Sequence, residues 1–288
     1  MTHPSITGLR EGTIDVDTLR ALAAVSPVNL LEIQAHCPDP SAAVPATLAA
    51  GATRIFWKDL LWLPDTRDFA GRDLIEQRLQ ALGLASSAPI VAYGEHRQYG
   101  FYARWALRHA GLRQVFVLQR PELSTEPLAG SVQPQSSAGQ PVDIQPGPPP
   151  RRALRQDVLD ALRDGGIQIV DARTREEYDG WRVSPPGGPD HGAERAGHVP
   201  GAVNLHYQDL LDEHGALKPL DELRRRVAAA GIDGSRPIIA YCRLSHRASL
   251  LAYVLQEKLG YADVRLYDGS WTEWGSTVGS PIAHNRPA

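Results

Sequence analysis

Short apolar runs alternate with amphipathic segments along the second half of the chain. Residues 167–172 (IQIVDA), 237–242 (PIIAYC) and 264–269 (VRLYDG) are short and mainly apolar, which is typical of strands buried in a parallel sheet. Residues 220–232 (LDELRRRVAAAGI) and 248–260 (ASLLAYVLQEKLG) have helical spacing of apolar positions and a glycine at or near the end. This alternation predicts an α/β fold, a parallel sheet flanked by helices.

The first half of the chain repeats this pattern. The run 237–241 (PIIAY) follows the matching run 89–93 (PIVAY) by 148 residues, and Gly231 follows Gly83 by the same distance. Further matches between the halves lie 149 or 150 residues apart. An offset this constant predicts an internal duplication, with one domain and one hydrophobic core in each half.

A proline-rich segment separates the two halves. Eight of the thirty residues in 121–150 are proline, and no helix or strand periodicity is present. Proline fixes φ and lacks an amide proton, so the segment is expected to be an extended linker. The predicted organisation is a first domain over 1–120, a linker over 121–152 and a second domain over 153–288.

Charge and cysteine content exclude several classes of protein. The formal net charge is −3 and the sequence pI is about 6.4, which argues against nucleic acid or an anionic membrane as a partner. The cysteines are Cys37 and Cys242, too few for a disulfide framework or a four-cysteine zinc site. We expect no metal and no cofactor. No secretory signal or membrane span is predicted, so the expected location is the cytoplasm.

Cys242 is the candidate reaction centre. It follows a predicted strand directly, and a predicted helix begins a few residues later. Such a turn forms a concave nest of backbone amides, to which the helix N-terminus adds partial positive charge. Arg243 and Arg247 add two cations, and His246 lies between them. A thiol in this environment is expected to ionise readily and to act as a nucleophile.

The length of the loop after Cys242 distinguishes two chemistries. Phosphatases and arsenate reductases that use a cysteine nest usually have five residues between the cysteine and the arginine, whereas four separate Cys242 from Arg247. The shorter loop leaves room for one additional sulfur atom rather than a tetrahedral phosphate. We therefore expect a cysteine persulfide. The predicted persulfide-binding loop is Arg243, Leu244, Ser245, His246 and Arg247.

Four stretches of the second half resemble the rhodanese family, specifically its bacterial tandem-domain sulfurtransferases. They are 170–180 (VDARTREEYDG), 197–205 (GHVPGAVNL), 241–249 (YCRLSHRAS) and 267–275 (YDGSWTEWG). With the duplication, the resemblance covers nearly the whole chain. It implies that the Cys242 thiolate takes the outer sulfur of thiosulfate, a small anionic donor, and that the persulfide passes this sulfur to cyanide or a thiol acceptor. The residues expected to support the loop are Asp171, Arg173, Trp271 and Trp274.

The identity of the sulfur donor stays open at this level. Arg243 agrees with thiosulfate-type members, but Leu244 is apolar and Ser245 replaces a glycine. An arginine that some members use to bind thiosulfate aligns with Glu177. The alternatives are a 3-mercaptopyruvate sulfurtransferase and a non-catalytic rhodanese-like module for sulfur delivery or docking. We expect a monomer, because the duplication places two related domains in one chain.

The first half lacks the candidate nucleophile. Gly94 stands where the second half has Cys242, and Glu95 replaces the first loop arginine. We therefore expect the first domain to be inactive. In the second half, two roles are open for Arg247: contact with the anionic sulfur group, or an ion pair that ties the loop to an acid such as Asp171. The insertion 180–195 is expected to be a surface loop that is able to cover the active site.

Overall fold

Two separate sheets organise the chain. The computed structural model describes residues 12–37, 51–85, 87–119 and 149–286. Contacts divide the chain into two units, which we call unit 1 (Met1–Pro149) and unit 2 (Pro150–Ala288).

Unit 1 is built on a five-stranded parallel sheet. Its elements are β1 (Thr13–Ile14), α1 (Val16–Val25), β2 (Asn29–Gln34), β3 (Thr53–Phe56), α2 (Trp57–Leu61), α3 (Arg72–Ala81), β4 (Ile90–Gly94), α4 (Gln98–His109) and β5 (Val115–Leu118). The strand order is β1-β5-β4-β2-β3, and every pairing is parallel. Leu19 and Leu22 of α1 pack in one core with Leu30 and Val91 of the sheet.

Unit 2 repeats this plan. Its elements are β6 (Arg151–Ala153), α5 (Arg155–Asp164), β7 (Gln168–Asp171), α6 (Arg175–Asp179), β8 (Val203–Asn204), a short 3-10 helix (Tyr207–Leu210), α7 (Leu220–Ala229), β9 (Ile238–Tyr241), α8 (His246–Tyr253), a π-helical turn (Val254–Lys258), β10 (Val264–Tyr267) and α9 (Ser270–Trp274). The strand order is β6-β10-β9-β7-β8, and every pairing is parallel.

The register of the two sheets supports the duplication. Glu32 of β2 lies opposite Tyr93 of β4, and Asp171 of β7 lies opposite Tyr241 of β9. The two sheets also have equivalent strand orders. The predicted fold class, two duplicated parallel sheets flanked by helices, is therefore confirmed.

Some boundaries differ from the sequence predictions. Arg151 and Arg152, placed in the linker by the sequence, pair with β10 as the first residues of β6. Helix α8 begins at His246 rather than after Arg247, so Arg247 belongs to its first turn. Residues 121–148 of the predicted linker lie outside the described residues.

The C-terminal segment of unit 2 packs back onto the loop before β8. The amide of His198 donates to the carbonyl oxygen of Ala283 at 2.8 Å, and the Ala283 amide donates back at 3.0 Å. Gly197 makes this approach possible, because its φ is +129° and an added Cβ would lie 2.4 Å from the Ala283 oxygen.

Among the described residues, no helix combines the length and apolar character needed to cross a lipid bilayer.

We predict that Gly197→Ala destabilises unit 2 by at least about 2 kcal/mol, since it adds both a φ penalty and a collision with backbone. Gly188→Ala is the matched control, because nothing lies within 4 Å of its added Cβ. The measurement is the urea midpoint of both variants. Equal midpoints would contradict the proposed role of the close contact at Gly197.

Candidate active site

Cys242 lies at the carboxyl end of β9, between that strand and α8. All four residues of β9 are buried, because both faces of a central parallel strand are covered. Cys242 itself is 1% exposed. Its place at the end of a central strand is where α/β sheets usually bind ligands.

A segment that follows β10 holds the main chain of the cysteine loop. The Cys242 amide donates to Oγ of Ser270 at 3.2 Å, and the Trp271 amide donates to the Cys242 carbonyl at 2.9 Å. The amide and hydroxyl of Thr272 both donate to the carbonyl of Arg243, at 3.1 and 2.9 Å. The loop is therefore fixed by hydrogen bonds from residues 270–272.

Ser245 adopts a conformation that normally favours glycine. Its φ is +71°, in the left-handed region. Its side chain is fully buried, and its hydroxyl donates to the carbonyl of Asp268 at 2.6 Å. The Asp268 carboxylate in turn accepts from Arg152 at 2.9 Å. A glycine at this position would relieve the φ strain but would lose this connection to the segment after β10.

Arg247 forms a bidentate ion pair with Glu177 of α6. The two nitrogen–oxygen distances are 2.6 and 2.9 Å, and Glu177 is fully buried. Burial alone favours the neutral carboxyl, but the hydrogen bonds and charge of Arg247 outweigh it and lower the pKa of Glu177. Burial likewise opposes the charge of Arg247, and Glu177 outweighs it and raises the pKa of the guanidinium. Arg247 therefore does pair with an acid, one of the two roles left open by the sequence, but the acid is Glu177 rather than Asp171.

Asp171 pairs instead with Arg173. The guanidinium contacts both carboxylate oxygens, with the shortest distance 2.7 Å, and also donates to the carbonyl of Gly197 at 2.6 Å. Its central carbon lies 4.3 Å from the ring centroid of Trp271 and 5.5 Å from that of Tyr241. These contacts join the end of β7 to the core beneath the cysteine loop.

Trp271 and Trp274 are fully buried beneath this loop. The indole nitrogen of Trp271 donates to the Arg195 carbonyl at 2.9 Å, and that of Trp274 donates to the Pro281 carbonyl at 2.8 Å. Both rings lie in the core of unit 2. Because both rings are buried in this core, they hold α9 and its first residues, 270–272, in place against the cysteine loop.

The other loop residues differ in exposure. Leu244 and Arg243 are half-buried, whereas His246 is buried in the first turn of α8. The guanidinium of Arg243 contacts His191, a residue of the insertion 180–195. The insertion therefore reaches the residue next to Cys242.

Several residues of this site were not predicted from the sequence. Ser270 and Arg152 act through hydrogen bonds that carry no local signal, since their partners come from other elements. Burial raises the pKa of the Tyr207 hydroxyl, whose electrostatic interactions reach Arg247 and Cys242. Glu177 was noted only as the alignment partner of an arginine. An acid in the first turn of a helix after β7 was the one available indication of its pairing role.

The corresponding loop of unit 1 is closed around Gly94. An added Cβ there would lie 2.8 Å from Cβ of Tyr99 and 2.9 Å from the carbonyl oxygen of Ile33. Glu32, the equivalent of Asp171, accepts hydrogen bonds from the Tyr93 hydroxyl at 3.0 Å and from Arg54 at 3.1 Å. The buried acid is retained in unit 1, but the space for a nucleophile is not.

Comparisons with known proteins agree with this geometry. A family model described as the rhodanese-like domain matches residues 154–277. A "Putative thiosulfate sulfurtransferase" of Mycolicibacterium smegmatis is 36% identical over 241 residues, which cover 81% of this chain and 84% of that protein. The "Sulfur carrier protein TtuD" of Thermus thermophilus is 34% identical over 249 residues, with the same two shares.

Solved structures give the same fold. YnjE superposes with a TM-score of 0.71 at 18% identity, over 96% of this chain and 71% of that one. An anaerobic ergothioneine biosynthesis enzyme from Chlorobium limicola, in complex with trimethyl histidine, superposes with a TM-score of 0.73 at 18% identity and the same coverage.

The two sheets and the cysteine loop after β9 define a protein of the rhodanese-like class. Identity above one third with relatives that match along most of their length makes the assignment specific. This chain belongs to the rhodanese-like sulfurtransferase family, which confirms the resemblance inferred from its sequence.

We predict that Glu177→Gln destabilises unit 2 by about 3 kcal/mol at neutral pH, because it leaves the buried charge of Arg247 without a counter-charge. Folding lowers the pKa of Glu177 from its ordinary value of 4.5. The contribution of the carboxylate is therefore complete above that value and is lost as the pH falls through the lowered pKa. The free energies of unfolding of wild type and variant should converge in acid.

Glu176→Gln is the matched control, since this exposed neighbour lies on the same helix. It should change the free energy of unfolding by less than about 0.5 kcal/mol. A loss in Glu177→Gln that does not depend on pH would argue against the ion pair as its cause.

Proposed function

We propose that unit 2 carries sulfane sulfur as a persulfide on Cys242, with thiosulfate as donor and cyanide or a thiol as acceptor. The observation that carries the proposal is the four-residue loop between Cys242 and Arg247, at the end of a central strand and fixed from both sides. The backbone amides of this loop and the N-terminus of α8 suit an anionic group on the sulfur.

The proposed reaction has two steps, formation of the persulfide and transfer of its outer sulfur. The Cys242 thiolate attacks the outer sulfur of thiosulfate, the sulfur–sulfur bond of the donor breaks, and sulfite leaves with the bonding electron pair. An acceptor then attacks the terminal sulfur of the persulfide, which regenerates the thiolate. Cyanide becomes thiocyanate, and a thiolate acceptor becomes a persulfide.

The two loop arginines contribute differently to this proposal. The charge of Arg247 is balanced by Glu177, so its main effect is to fix the end of the loop. Arg243 and the loop amides are the groups we propose for contact with the anionic donor. Asp171, Arg173, Trp271 and Trp274 support the loop from beneath.

A second candidate function is sulfur delivery to a protein acceptor. It is favoured by the similarity to a relative named as a sulfur carrier. The two candidates share the Cys242 persulfide and differ in the second step. Fast transfer to cyanide or a small thiol supports the enzyme, whereas transfer only to a protein thiol supports the carrier.

We predict that incubation with thiosulfate raises the intact mass of the protein by about 32 Da, one sulfur atom. Cys242→Ala should abolish the gain, because it removes the attacking thiol. Cys37→Ala is the matched control and should keep the gain, since Cys37 is the other thiol of the chain and is exposed. A gain that survives Cys242→Ala would overturn the proposal.

We predict that kcat/KM is higher for thiosulfate than for 3-mercaptopyruvate, because Arg243 places a cation directly after the nucleophile. Steady-state assays of wild type with both donors and one acceptor provide the measurement. A higher kcat/KM for 3-mercaptopyruvate would identify the alternative sulfurtransferase.

The monomeric state, the cytoplasmic location and the absence of nucleic-acid or membrane partners stay predictions from the sequence. The domain boundaries at 120 and 153 and the inactivity of the first domain are likewise proposals. The closed loop around Gly94 supports the last of these.

A further inference from the structure

The insertion loop, residues 180–195, has an internal framework. One carboxylate oxygen of Asp190 accepts from the amides of Val183 and Ser184, at 2.8 and 3.0 Å. The Ser184 hydroxyl donates to the carbonyl of Pro189 at 2.8 Å. The loop therefore holds its shape through contacts that do not involve His191.

The end of the insertion loop is fixed to the segment after α9. Arg195 donates to four main-chain carbonyls, that of Trp274 at the end of α9 and those of Gly275, Thr277 and Ser280 after it, at distances of 2.7 to 3.2 Å. Such a set of contacts anchors the loop where it returns to the body of unit 2.

Between these two anchored regions, the loop contacts Arg243. Nη2 of Arg243 lies 2.9 Å from Nδ1 of His191 and 2.9 Å from its carbonyl oxygen. A guanidinium only donates, so Nδ1 of His191 is the acceptor in this contact. Gly192, with φ +109°, allows the approach, because an added Cβ would lie 2.4 Å from the same nitrogen.

The other end of Arg243 is fixed next to the candidate nucleophile. Its carbonyl accepts two hydrogen bonds from Thr272, and the carbonyl of Cys242 accepts one from Trp271. The backbone of Arg243 is therefore held by Thr272, and its guanidinium is held by His191. The insertion loop and the cysteine loop are joined through it.

The two loop arginines are held by partners of different charge. Glu177 is an anionic partner of Arg247, whereas Arg243 contacts the imidazole and the main-chain carbonyl of His191. A cation that is fixed in this way loses less conformational entropy when an anion binds.

We propose that His191 is a positioning residue that fixes the guanidinium of Arg243 for the anionic sulfur donor at Cys242. The inference rests on the proposed function and deepens it, since it assigns donor affinity in part to the insertion loop. His191 acts through Arg243 and does not itself contact the reacting sulfur in this proposal.

The test measures KM and kcat for thiosulfate in wild type, His191→Ala and His191→Asn. His191→Ala should raise KM about fivefold, the effect of losing one typical intramolecular hydrogen bond, with little change in kcat. His191→Asn should restore KM to within about twofold of wild type, because an amide oxygen also accepts from arginine. The KM ratio should shrink at higher ionic strength, where charge attraction is screened.

His214→Ala is the matched control, an exposed histidine of unit 2 whose ring lies beside Glu213, and it should leave both constants unchanged. The inference is overturned if His191→Ala leaves KM unchanged, if only kcat falls, or if His191→Asn behaves like His191→Ala. Intact mass separates this failure from a failure of the proposed function. If wild type takes up sulfur on Cys242 and His191→Ala has an unaltered KM, only the role of His191 is contradicted. Wild type that takes up no sulfur contradicts both.

Discussion

The buried ion pair between Glu177 and Arg247 is the constraint on which the site of unit 2 depends. Removing two charges from water is costly, and the cost is offset only when the geometry is close to ideal, as it is in this bidentate pair. Glu177 belongs to the helix after β7 and Arg247 to the first turn of the helix after β9. The pair therefore ties the first turn of α8 to α6, and with it the end of the loop that starts at Cys242.

A short loop with a fixed end imposes conformations that the chain must then stabilise. Ser245 takes a positive φ, and Ser270 does so in the segment that holds the loop. Each serine hydroxyl is buried and donates to a main-chain carbonyl near the end of β10. Local strain of this kind persists only where the surrounding contacts determine it, and it is characteristic of functional sites. The tryptophans of α9 supply the rigid core beneath.

The two units have the same sheet and different capacity for chemistry. Both keep a buried acid opposite a tyrosine, Glu32 with Tyr93 and Asp171 with Tyr241, because these pairs belong to the packing of the sheet. In unit 1 the loop after β4 has closed around Gly94, so that a Cβ no longer fits there. Packing is retained where it stabilises each core, whereas the space for a thiol is retained only in unit 2.

The sequence by itself determined the alternation of strands and helices, the duplication and the position of Cys242 at the end of a strand, because periodicity and a turn after a strand are local signals. It missed β6, whose three residues are too short and too polar to give a strand pattern. It named the wrong acid for Arg247, and it gave no sign that His191 contacts Arg243. Glu177 lies 70 residues from Arg247, and His191 lies 52 residues from Arg243. Only the parallel order of the strands brings such distant residues to one sheet edge, so the tertiary structure decided which charges meet there.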